Sequence, residues 1–364
     1  MTITFASKLE RLPHYEAGVH EDAAREAFGA ADIVKLASNE SPWGPHPDVV
    51  EAVAAAASRV NRYPDQHAKR LRQRIAERFE LEPGQVAVGN GSCEILLAAA
   101  EALCEPGAEI VFAWPAFSIY PHLAALTGAR EIRVPLADGY VHDLDAMLEE
   151  ITVATQLVVV NNPNNPTGTH LPAARIAAFC DRVPRHVTIA IDEAYVEFQV
   201  TDDPDDTVDL LRDFPNLVLF RTFSKVYGLA GLRCGYALGS ARFRAAVDAV
   251  RQPFSVNELA QVAAAEAILH GDDVMSRVER TIVERVFVEE GVCELGAEPP
   301  DSAANFSWLP LGDRDEDEVV RRLGERGVVV RSGASLGGPG HIRVTYGTRP
   351  ENERFLDAFA AALA

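Results

Sequence analysis

LVVVNNPNNPTG, residues 157–168, decides the fold. Four apolar residues, three of them β-branched, run into a turn built from asparagine, proline, threonine and glycine. A run this short, with that composition and that ending, reads as a buried strand. Working outwards, IVFAWP (110–115), VTIAIDEAY (187–195) and LVLFRTFSK (217–225) repeat the pattern. Between and around them lie alanine-rich stretches at 47–60, 67–80, 92–104, 172–183 and 241–251, and a long one near 257–291. Alanine has the highest helix propensity, so these read as helices. Strands alternating with helices imply an α/β chain with a largely parallel sheet covered on both faces. After residue 300 the pattern changes. FSWLPL (306–311), GVVVRSG (327–333) and HIRVTYG (341–347) surround a helix at 315–326, and a last helix spans 350–363, as in a smaller α+β domain. The acidic run DDPDDTVD (202–209) and the charges at 277–290 read as solvated faces, and EPPDSAAN (298–305) as a loop between subdomains.

Composition narrows the function. The 364 residues suggest about two domains. Hydrophobic residues at 48% and charged residues at 24% exclude a disordered or fibrous chain. The net charge, 34 − 54 = −20, repels phosphate backbones and anionic membranes, so neither nucleic acid nor membrane is an expected partner. No apolar run is long enough to span a bilayer, and the opening MTITFASKLERLPHYEAG lacks the apolar core of a signal peptide. Cys93, Cys104, Cys180, Cys234 and Cys293 are odd in number and form no C-x-x-C pair, which fits a reduced, cytoplasmic protein. No H-E-x-x-H or clustered His/Cys spacing points to a metal.

In open parallel sheets, ligands bind beyond the carboxyl ends of the strands. The residues there are polar and varied. NNPNNPTG ends one strand, Asp192 and Tyr195 end the next, and Ser224 and Lys225 end a third, with Arg233 eight residues beyond. GNGSCE (89–94) leads into the helix at 92–104. One crevice could therefore collect an amide, a carboxylate, a phenol, a lysine, an arginine and a glycine-led helix start. Pyridoxal 5′-phosphate needs this set: an amine for its Schiff base, a carboxylate beside its ring nitrogen, donors at its ring oxygen and an anion cradle for its phosphate. Each residue also has a plainer reading. Asp192 could cap a helix, NNPNNPTG could be only a turn, and Tyr63 and Phe117 could be core aromatics. GNGSCE is no dinucleotide fingerprint, because residue 94 is glutamate. Arg343, on an apolar strand, is costly to bury without an anionic partner.

In order, GNGSCE, NPNNPTG, DEAY, TFSKVYGLAGLR and HIRV resemble the fold-type I aminotransferases, and within them the histidinol-phosphate aminotransferase group and the related actinobacterial aromatic aminotransferases. The likeness runs from LASNESPWGP (36–45) to HIRVTYG (341–347). It implies a large domain at 38–250 holding pyridoxal phosphate on a mostly parallel seven-stranded sheet. It also implies a small domain at 251–364 and an arm, 1–37, packed on that small domain. It implies that Lys225 carries the cofactor and moves the proton from Cα, that Asp192 pairs with the ring nitrogen, and that Tyr195 and Asn165 bond the ring oxygen. Phe117 would stack on the ring. Gly91, Ser92 and Cys93 would cradle the phosphate with Ser224 and Arg233. Relatives often carry an acid where Cys93 stands. Tyr63 would reach the cofactor of a second subunit, implying a homodimer. Arg343 would hold the substrate carboxylate, with Arg331, Tyr15 and Asn39 in the distal pocket.

The activity implied is transfer of an amino group from histidinol phosphate to 2-oxoglutarate, in histidine biosynthesis. An aromatic donor such as phenylalanine is the alternative, for which Tyr15, Trp43 and Tyr120 offer ring surfaces. A lyase resembling threonine-phosphate decarboxylase would share Lys225 and Asp192. A pyridoxal-phosphate-binding regulator fits poorly with so acidic a chain.

Overall fold

In the computed structural model, which describes residues 3–13, 21–29 and 32–364, the deciding run becomes an inner strand of a seven-stranded sheet. The strands are β1 (Val86–Gly89), β2 (Glu109–Trp114), β3 (Arg130–Pro135), β4 (Thr155–Asn161), β5 (Thr188–Asp192), β6 (Leu217–Thr222) and β7 (Gly235–Leu238). Their spatial order is β1-β7-β6-β5-β4-β2-β3. Only β7 runs against the others. Alternate residues of each strand enter opposite cores. Val158, Val160, Ile189 and Ile191 face one, while Leu157, Val159 and Ala190 face the other. Both faces are dry, which is why these strands are continuous apolar runs. β1, β3 and β7 lack that signal. β3 is an edge strand with charged, mostly exposed side chains, and β1 and β7 are four residues each and rich in small residues.

The second, smaller sheet joins β8 (Phe306–Pro310), β9 (Arg331–Ser332) and β10 (His341–Thr345) in the antiparallel order β9-β10-β8. Helices Gly271–Glu294, Glu316–Glu325 and Arg349–Leu363 close its core with Val288, Leu323, Phe355 and Phe359. The stretch 327–333 divides, because Val328–Val329 pairs instead with Val34–Lys35.

Five expectations are corrected by packing. The long helix near 257–291 is two helices, Glu258–Ala267 and Gly271–Glu294, broken at His270. The first buries Ala260, Ala263 and Ala264 in the core of the large sheet, so we put the domain division near residue 270 rather than 250. The arm also divides. Ser7–Arg11 lies on helix Tyr120–Thr127 of the large layer, with Lys8 Nζ donating to Leu126 O, whereas Glu21–Phe28 and Val34–Lys35 pack on the small domain. The charges at 277–290 are not all solvated. Arg277 is 4% exposed and bonds Asp273 and Gly44 O, while Arg285 donates to Ser302 O at 2.6 Å. Nor is 202–209 a free loop. Asp205 accepts from Arg78 and Arg221, and Arg221 also pairs with buried Glu193 at 2.8 Å.

Candidate active site

The carboxyl ends of β4, β5 and β6 open onto a cavity of about 400 Å³, roofed by β9 and β10 of the small sheet. Of the residues singled out from the sequence, Asn39, Cys93, Phe117, Asn165, Asp192, Tyr195, Ser224, Lys225, Arg233, Arg331 and Arg343 line it. Gly91 and Ser92 lie just behind, at the start of helix Ser92–Leu103. Tyr63 does not reach this cavity. It is 84% exposed and stacks on Phe254, with ring centroids 4.8 Å apart. Tyr15 lies outside the described residues. Trp43 is away from the cavity, under the Arg280 guanidinium.

Lys225 Nζ donates to Ser38 O at 3.1 Å and sits 5.6 Å from the centre of the Tyr195 ring. Burial, then the positive charge of Arg343, pull its pKa down to about 8. Among the described residues, Asp192, 2% exposed, has only neutral hydrogen-bond donors, the Tyr120 hydroxyl at 2.9 Å and the Ala194 amide at 3.3 Å. Burial raises its carboxyl to about 6, with the Tyr120 hydrogen bond opposing. Tyr195 Oη accepts from Asn39 Nδ2 at 2.9 Å. Burial raises its phenol to about 12, against the pull of Arg343. Asn39 holds this position with φ of 53°, a left-handed conformation that asparagine tolerates better than most residues.

One corner of the cavity is built for an anion. Gly91 caps helix Ser92–Leu103 with φ of 78°, and a Cβ there would lie 2.5 Å from Arg233 Nη2. Arg233 Nη1 donates to Ser224 Oγ at 3.3 Å, and Thr222 Oγ1 donates to the same oxygen at 2.9 Å. A guanidinium, a hydroxyl pair and a helix N-terminus converge, which is the chemistry of a phosphate site. At the other end, Arg343 lies in direct register with Arg331. Arg343 donates to Asn165 Oδ1 and, at 2.8 Å, to Ala37 O. The Asn161 side chain staples the turn, accepting from Asn165 N at 2.8 Å and donating to Asp192 O at 2.9 Å.

The set fits pyridoxal phosphate: a low-pKa amine, a buried carboxylate that no cationic donor among the described residues bonds, a phenol and a cradle that a Cβ would fill. Sequence reasoning missed Asn161 and Thr222, and it read Tyr120 as a surface for a substrate ring rather than as the partner of Asp192. Asn161 and Thr222 were legible as neighbours inside NNPNNPTG and TFSK. Cys93 is half-buried in the cavity wall, and desolvation raises its thiol to about 11, so it is protonated at neutral pH and a poor nucleophile. Away from the cavity, donor atoms of His46, Asp48 and His270 come within 4.8 Å of one another. The two imidazoles are stacked at 20°, so their lone pairs lie in nearly parallel planes, and His46 Nδ1 already accepts the Asp48 amide. That arrangement does not converge on an ion.

Residues 31–359 match the family "Aminotransferase class I and II". The chain is 41% identical to a histidinol-phosphate aminotransferase of Geobacillus thermodenitrificans over 98% of this chain and 97% of that one. It is 42% identical to an aromatic amino acid aminotransferase of Thermobifida fusca, covering 96% and 94%. The crystal structure of histidinol-phosphate aminotransferase from Sinorhizobium meliloti in complex with pyridoxal-5′-phosphate superimposes with a TM-score of 0.91 at 28% identity, covering 100% of this chain and 98% of that one. The chain therefore belongs to the class I and II aminotransferases of fold type I, and its cofactor is pyridoxal 5′-phosphate.

Proposed function

We propose that this aminotransferase moves the amino group of histidinol phosphate to 2-oxoglutarate. The observation that carries the reading is the direct pairing of Arg331 with Arg343 across β9 and β10, both on the cavity wall. Like charges directly opposite each other on a sheet repel. An anion held between them relieves that repulsion and takes charge-assisted hydrogen bonds from both. The phosphate of the donor and a carboxylate of the acceptor are such anions, and a two-step amino transfer presents them in turn to the same place. The Geobacillus and Sinorhizobium relatives support this donor.

In this reading Lys225 carries the cofactor, and Nζ then takes the proton from the donor's Cα and returns it across the cavity. Asp192 faces the ring nitrogen, and Tyr195 and Asn165 face the ring oxygen. Phe117 covers one ring face. Gly91, Ser92, Cys93, Ser224 and Arg233 hold the phosphate. When bound, pyridoxal phosphate supplies an electron-withdrawing ring that makes that Cα proton acidic. Asn39 fixes Tyr195 and borders the distal end. Exposed Tyr63 belongs to a homodimer interface, where it serves the neighbouring subunit's cofactor. We place the enzyme in the cytoplasm, consistent with five free cysteines.

An aromatic donor is the second reading, favoured by the Thermobifida relative and by Phe117 and Leu336 on the cavity wall. Single-turnover amino transfer separates the two. Purified holoenzyme receives histidinol phosphate or phenylalanine without acceptor, and the cofactor's absorbance is followed. At least tenfold faster conversion by histidinol phosphate supports the proposal. Faster conversion by phenylalanine replaces it with the aromatic reading.

A further inference from the structure

Tyr120, expected among aromatics that meet a substrate ring, stands instead behind Asp192. It is 1% exposed and opens helix Tyr120–Thr127. Its hydroxyl donates to Asp192 Oδ2 at 2.9 Å. Its ring is held edge-on by Phe117, with centroids 5.9 Å apart at 85°, and packs at a tilt of 55° on Phe112, also at 5.9 Å. Phe117 lines the cavity, so one turn of chain sends one aromatic to the cavity and the next to the carboxylate beneath it. The polarity of the contact is fixed. Burial, and then the neighbouring charge of Asp192, push the Tyr120 phenol far above its usual range, so it keeps its proton and donates. A hydrogen bond to the charged form of an acid favours that form, whereas burial disfavours it.

We propose that Tyr120 is a positioning residue for Asp192: its hydroxyl orients the carboxylate and keeps it ionised toward the cofactor's ring nitrogen. This rests on the reading of Asp192 as the partner of that nitrogen. A stabilised carboxylate is a weaker base, so the shared proton stays on the ring nitrogen and the ring stays electron-withdrawing. Without the hydroxyl the carboxylate becomes more basic and draws the proton to itself. No proton is gained or lost; its position changes.

The test is the affinity of stripped enzyme for pyridoxal 5′-phosphate as a function of pH, with kcat and KM measured alongside. Wild-type affinity should fall as pH drops through about 6, where Asp192 protonates. In Tyr120→Phe the midpoint should rise by about one pH unit, the value of a lost hydrogen bond to a charge. kcat should fall about tenfold with KM changed less than about twofold. The other groups near Asp192, namely Lys225, Glu193, Cys93 and Tyr195, are the same in both proteins. Replacing Tyr120 with a ring-fluorinated tyrosine keeps the ring and strengthens the donor, so the midpoint should move down, which keeps the proposal testable if the phenylalanine variant misfolds. Midpoints unmoved in both variants overturn the role of Tyr120. Asp192→Asn tests the underlying reading separately. If it leaves the pH profile intact, the assignment of Asp192 fails. If it abolishes the profile while Tyr120→Phe does not shift it, only the role of Tyr120 fails.

Discussion

At the scale of the residue, the amine of Lys225 carries the sharpest consequence. With its pKa lowered to about 8, roughly a tenth of the amine is neutral at pH 7. Only the neutral amine attacks a carbonyl. The rate at which stripped enzyme takes up pyridoxal phosphate should therefore climb about tenfold per pH unit below 8 and flatten above it. An unperturbed lysine would go on climbing to about 10.4. Stopped-flow absorbance against pH distinguishes the two, and Lys225→Ala should leave no borohydride-fixed cofactor at any pH. Lys225, Asp192 and Arg233 were legible because each follows a strand or motif with a recognisable local signature. Tyr120 was not. Nothing in YPHL tells a tyrosine aimed at a carboxylate 72 residues away from one aimed at a substrate.

At the scale of the element, the anion corner depends on helix Ser92–Leu103 starting where β7 passes beneath it. A Cβ on Gly235 would run into the Ser92 backbone nitrogen, and backbone cannot swing aside as a side chain can. Gly235→Ala should destabilise the fold by about 1–3 kcal/mol, as overpacking does, and weaken retention of pyridoxal phosphate by displacing the helix start. Thermal denaturation and cofactor dissociation measure the two effects. A normal melting temperature with normal retention would show that the helix start tolerates displacement. The glycine was visible in LRCGY, but its reason was not, since the clash is with a residue from another strand–helix unit. Likewise, HIRV and VVRSG announced two arginines on strands, while their pairing depends on how β9 and β10 align.

At the scale of the whole molecule, the cavity is a joint product of both layers. β4, β5 and β6 form its floor, and β9 and β10 bring Arg331 and Arg343 over it. Tyr63 and Phe254, exposed and stacked on each other, lie outside it. If Tyr63 serves a neighbouring subunit, Tyr63→Phe should leave a dimer by light scattering yet lose pyridoxal phosphate several-fold faster on dilution, as expected for one charge-assisted hydrogen bond. Unchanged retention would make Tyr63 a packing residue.

The sequence by itself determined the α/β class, the four clearest strands of the large sheet and the chemistry at their ends. Those are local properties, written in apolar runs, turn residues and alanine-rich stretches. Tertiary structure alone decided which partners those residues met. The edge strand β3 puts only Ile132 and Val134 on its core face, among charged neighbours, which is too short an apolar pattern to announce a strand. The burial of Arg277 and Arg285 and the carboxylate behind Tyr120 depend on contacts between distant segments, and no local periodicity encodes those.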